Sequence, residues 1–156
     1  MIRIGTATVV MGVCAIMVAT VVHAESNPFV GRWQWSREKS APPPGEPVPK
    51  AVTAEITRMD GTHLTWSLTV LTEQGERSVQ TFDAVTDGGF YPVNADMTAA
   101  FTLLGNALQA TFKSPLGEVD TLTCRLSTDK TSMTCHGVIS DSEGHTVNYV
   151  DFFNRK

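Results

Sequence analysis

From Ala51 to its end the chain repeats one pattern: short runs rich in threonine, valine, leucine and aromatic residues, broken at near-regular intervals by turn residues. Within the runs apolar and polar residues alternate. Leu64, Trp66, Leu68 and Val70 interleave with His63, Thr65, Ser67 and Thr69. Successive side chains of an extended chain point to opposite faces, so each run reads as a strand with one dry face and one wet face. Val52, Ala54 and Ile56 alternate in the same way with Thr53, Glu55 and Thr57, as do Leu122, Cys124 and Leu126 with Thr121, Thr123 and Arg125. The punctuation is Asp60-Gly61, Gln74-Gly75, Asp87-Gly88-Gly89, Gly105-Asn106, Ser114 to Gly117, Asp129-Lys130 and Glu143-Gly144, residues suited to tight turns. The spacing predicts strands near 30–36, 50–59, 62–71, 76–85, 89–93, 97–104, 107–113, 119–127, 131–139 and 145–154, and no helix after residue 24.

About ten short strands with one apolar face each cannot lie in an open sheet without baring that face and two edges. They close into an antiparallel up-and-down β-barrel or, as the alternative, fold into a β-sandwich. The short sequential turns favour the barrel. A membrane-spanning barrel would need an outward apolar band with aromatic girdles, whereas the polar faces here carry threonine, serine and charge. One connection is long: residues 37–50 hold five of the eight prolines, which rules out a helix or a central strand. This segment is expected to run extended across the mouth or wall of the barrel. The competing reading is a recognition peptide for a proline-binding domain.

The chain opens with one positive charge at Arg3, an uncharged apolar run from Ile4 to Val22, and then Val22-His23-Ala24 before Glu25. That is the pattern of a secretory signal over 1–24 cut after Ala24; an uncleaved anchor is the alternative, since the run nears the length that spans a bilayer. Lipidation at Cys14 is disfavoured by Val13 before it. The expected mature chain, 25–156, is one domain with no transmembrane segment, located in the periplasm or secreted. Loss of Arg3 takes the net charge from −4 to −5, which argues against nucleic acid or an anionic membrane as partner. Only Cys124 and Cys135 remain, in a compartment where disulfides persist.

The stretch Asn27-Pro28-Phe29-Val30-Gly31-Arg32-Trp33, followed by Lys39-Ser40 and the prolines, resembles the opening of small exported bacterial proteins of the lipocalin-like, or calycin-type, group, many without an assigned role. Phe90-Tyr91-Pro92-Val93 and the closing hairpin from Asp141 to Asn154 are similar to that group as well. The resemblance implies a lipocalin-like barrel in which Gly31 and Trp33 begin the first strand and Trp33 packs across the closed end beneath Arg155, a structural pair. It departs from fatty-acid-binding relatives, whose two-helix lid between the first two strands is replaced here by the proline segment.

If Asp129-Lys130 is a hairpin loop, Thr128 faces Thr131, and Cys124 lies opposite Cys135 on the face of Leu126 and Met133. A cross-strand disulfide is then feasible, while a slip of one residue would leave two buried thiols. Cys135 and His136 point to opposite faces and cannot easily share a metal, so no metal is expected and His136 and His63 read as lone surface histidines. No Gly-x-Ser-x-Gly elbow occurs, and Asp83, Asp96, Asp120 and Asp151 read as solvated charges or turn caps; no catalytic residue is assigned. Trp66, Phe82, Phe101 and Tyr149 fall at inward positions, where they either line a cavity or fill it. The leading expectation is a cofactor-free module binding a small apolar or amphipathic molecule. A filled barrel serving as a structural or interaction protein comes second, and a lipocalin-like enzyme third.

Overall fold

In the computed structural model the described residues are 27–156, and the predicted leader over 1–24 lies outside them. Ten strands follow in order: β1 Gly31–Trp35, β2 Ala51–Met59, β3 His63–Leu71, β4 Arg77–Val85, β5 Tyr91–Asn94, β6 Met97–Leu104, β7 Ala107–Lys113, β8 Val119–Leu126, β9 Ser132–Ser140 and β10 Thr146–Arg155. All pairings are antiparallel, in the order β4-β3-β2-β1-β10-β9-β8-β7-β6-β5. Pairing of β1 with β10 joins the first and last strands, so the meander curls into an up-and-down barrel that, among the described residues, lacks ladder pairing only between β4 and β5. Among the described residues no helix is long and apolar enough to cross a membrane.

The seam between β4 and β5 is sealed from within. Phe82 of β4 meets Phe101 of β6 with ring centroids 4.7 Å apart, and Trp66 of β3 reaches Phe112 of β7 at 6.4 Å. Each ring sits at an inward parity of its strand, so the alternation that makes the strands also brings the rings together. The connecting turn is tied to β6 by Gly88 N–H donating to Phe101 O.

One end of the barrel is closed. Trp33 has no solvent exposure, and its Nε1 donates to Phe29 O at 2.9 Å. The Arg155 guanidinium lies over the indole with Cζ 4.2 Å from the ring centroid, and it donates to the carbonyls of Lys130, Val30 and Pro28. Gly31 is required beneath it: φ there is +146°, and a Cβ would stand 2.5 Å from an Arg155 nitrogen.

The other end receives the proline segment. After β1, Ala41 forms a two-bond bridge with Val150 of β10, and Ser40 Oγ accepts from Phe152 N–H. Residues 42–49 then lead to β2, with Glu46 N–H donating to Pro43 O, and Arg37 is tied to Glu73 in the β3–β4 turn at 2.5 Å. Within the segment the chain turns at Pro44-Gly45, where Gly45 has φ +85°.

Candidate functional site

The interior of the barrel contains a cavity of about 330 Å³. Its walls are mostly apolar: Ile56, Trp66, Leu68, Phe101, Leu122 and Phe153 are representative. A second, wider space of about 890 Å³ lies under the proline segment, bounded by Pro42, Pro43, Pro47, Val48 and Pro49. Leu68, Tyr149, Asp151 and Phe153 line both, so the inner cavity and the space beneath the segment meet at these residues.

The polar part of the wall is built at that junction. β8 turns Asp120 inward with Leu122 and Cys124, and β10 turns Tyr149, Asp151 and Phe153 inward. The Tyr149 hydroxyl donates to both oxygens of Asp120, at 2.9 and 2.8 Å. β9 lies between those two strands, and Tyr149 crosses it at Gly137, its register partner, which is also the partner of Leu122. A Cβ on Gly137 would sit 2.0 Å from Tyr149 Cζ. Glycine is thus what allows the tyrosine to reach Asp120. Asp151 is held from the other side: Trp35 Nε1, on β1, donates to its Oδ1 at 2.7 Å.

Burial sets the electrostatics of this group. It pushes the Asp120 carboxyl up to about 6, against the opposing effect of the Tyr149 hydrogen bond, with the nearby Asp151 and Glu118 charges adding to the rise. Burial also raises Asp151, opposed by the Trp35 bond. Tyr149 is raised as well, by burial first and then by the Asp120 charge, so the phenol stays protonated and serves as a donor. Among the described residues neither aspartate forms an ion pair.

The other predicted site residues separate clearly. Trp66, Phe101 and Tyr149 line the cavity, whereas Phe82 is buried behind the lining, stacked on Trp66 at 6.2 Å and packed on Phe101. Cys124 and Cys135 are register partners joined by a disulfide that forms part of the cavity wall. Gly31, Trp33 and Arg155 form the closed end, remote from the proline segment. Asp120 and Asp151 correct the expectation of solvated charge: both are half-buried and inward, because strand parity, not residue type, decides which face a side chain takes. His63 is not alone either; it hydrogen bonds to Asp83, which also accepts from Thr65 Oγ1 and is held below the usual carboxylate range chiefly by the histidine. His136 is exposed on the outer face, opposite in direction to Cys135.

An acidic group of Asp141, Glu143 and His145 at the β9–β10 turn brings three ligand-type atoms within 4.8 Å of one another, all exposed. The turn itself accounts for it, since the Glu143 and His145 amides donate to Asp141 Oδ1 and the imidazole pairs with Oδ2.

The fold is similar to that of a variant of the fluorescent protein UnaG, at 16% identity over 83% of this chain and 96% of that one, with a TM-score of 0.56. Wild-type UnaG is matched at 14% identity over 82% of this chain and 97% of that one, with a TM-score of 0.51. Rv2717c from M. tuberculosis is matched at 10% identity over 83% and 93%, with a TM-score of 0.54. At these identities the likeness is one of fold. No family model and no curated protein matches the sequence.

Proposed function

We propose that this protein is an exported binding module that holds a small apolar or amphipathic molecule inside its barrel. The observation that carries the reading is the cavity itself. Its volume of about 330 Å³ falls within the roughly 300–1,000 Å³ typical of ligand sites, and mostly apolar walls with a few convergent polar groups are what such sites present. The junction with the space under the proline segment supplies a route inward. Export is supported by the leader pattern over 1–24 and by the Cys124–Cys135 disulfide, which suits an oxidising compartment.

The test is saturable, one-to-one binding of Nile red, a neutral apolar fluorophore. Leu122→Trp fills the cavity from a half-buried position and is expected to abolish that binding while the barrel still melts cooperatively. Absence of binding to the wild type, or equal binding to the variant, would contradict the reading.

One observation favours a second reading, an acid-base enzyme. A carboxyl at about 6 beside a phenol lies near the range useful for proton transfer at neutral pH. The phenol, however, is raised away from that range and is committed to Asp120. The two readings separate on whether a bound molecule leaves the protein chemically unchanged.

A further inference from the structure

Resting on that binding reading, we propose that the cavity selects an amphipathic amine, with an apolar body among the aromatic rings and an organic ammonium head at Asp120 and Asp151. The polar groups that the wall offers at the junction are acceptors. Tyr149 and Trp35 supply the adjacent donors, and both are already used on the two aspartates. Asp151 Oδ1 is occupied by the indole, while Oδ2 has no hydrogen-bond partner among the described residues. Each carboxylate oxygen of Asp120 shares a single hydroxyl and keeps further lone-pair capacity.

Charge around the opening has the same sign. Glu118 joins the two aspartates on the cavity wall, and Glu46, Glu73 and Glu76 line the space under the proline segment. Of the two cations lining these spaces, Arg37 is paired with Glu73, and Lys113 keeps its charge with Nζ 3.9 Å from the centroid of the Phe90 ring. An ammonium entering here meets attraction along its path and two half-buried carboxylates at its end. A carboxylate head would meet repulsion from these carboxylates, against Lys113 as the one cation outside an ion pair among the residues lining the two spaces.

The experiment uses the disulfide-intact protein and three single-chain competitors of equal tail length: dodecylamine, 1-dodecanol and dodecanoate. Each displaces Nile red at pH 7.5, in low salt and below its micelle concentration. Dodecylamine is expected to compete at least tenfold more tightly than dodecanoate, with dodecanol between them. The double variant Asp120→Asn with Asp151→Asn is expected to lose that order while still binding dodecanol, which also reports that its cavity has formed. Dodecanoate competing as well as the amine would overturn the proposal, as would an unchanged order in the double variant; if that variant does not fold, the wild-type order decides alone. The outcomes also separate the two claims. Binding of dodecanol without head-group preference defeats the amine proposal only, whereas failure of Nile red and all three competitors to bind defeats the binding reading with it.

Discussion

Replacing Gly137 by alanine isolates the packing that brings Tyr149 to Asp120. The added methyl would lie 2.0 Å from Cζ, 2.1 Å from Cε1 and 2.5 Å from the hydroxyl of Tyr149, against a normal carbon–carbon approach of about 3.5–4.0 Å. The ring must therefore retreat by about 1.5 Å or more. Its hydroxyl, now 2.8 and 2.9 Å from the carboxylate oxygens, leaves hydrogen-bond range. Losing a hydrogen bond to a charged group costs about 1.5–3 kcal/mol. Alanine returns about 0.5–1 kcal/mol relative to glycine within a strand, and Gly137 has no positive φ to forbid it. The expected net loss is about 1–2 kcal/mol, or a few degrees in Tm for a domain of this size. Urea unfolding at pH 7.5 measures it, together with the same substitution in a Tyr149→Ala background. There the clash is gone, so alanine at 137 should be neutral or stabilising. If Gly137→Ala leaves stability unchanged, or costs as much without the tyrosine as with it, the account of this crossing is wrong.

Asp120 predicts a pH window. Its folded pKa of about 6 exceeds the ordinary 3.8, so the folded state holds the proton more tightly and stability falls as pH rises from about 4 to about 6.5. Linkage gives about 3 kcal/mol, reduced to about 2 because solvent reaches the half-buried group; Asp120→Asn should flatten most of that slope, and an unchanged slope would refute the assignment. Arg155→Ala should cost about 2–3 kcal/mol through the lost indole contact and carbonyl bonds, and Arg155→Lys should recover only part of it, since one ammonium cannot reproduce the fork; equal stability of Lys and Arg in chemical denaturation would count against the closed-end geometry. Replacing both Cys124 and Cys135 by alanine opens a link between residues 11 apart in sequence and should cost about 2–3 kcal/mol, read as a lower Tm with one cooperative transition; full stability without the link would contradict its role.

The strands were legible because alternation is a direct print of a half-buried sheet: β2, β3 and β8 each carry it across several residues. The disulfide register followed from one turn, since placing Asp129-Lys130 in a hairpin loop sets Cys124 opposite Cys135. The polar wall was hidden by a conflict between two signals. Parity with Leu122 and Cys124 sends Asp120 inward, and parity with Tyr149 and Phe153 sends Asp151 inward, yet aspartate is by type a surface residue, so the two signals point opposite ways. The Tyr149–Asp120 contact had no sequence signature of its own. It joins strands that are not neighbours and depends on a missing side chain at Gly137, which alternation does not register. Cavity size is hidden for a related reason: the same inward aromatics line a space or fill it according to rotamer and packing, and Phe82 behind the lining shows both outcomes in one cluster.

Whether the barrel encloses a small molecule is read by native mass spectrometry of the protein purified from the organism that makes it. The expected result is a non-covalent adduct of one molecule per chain, lost on denaturation and absent from Leu122→Trp prepared in the same way. A mass equal to that of the bare polypeptide in repeated native preparations, from a protein that also fails to bind Nile red, would contradict it.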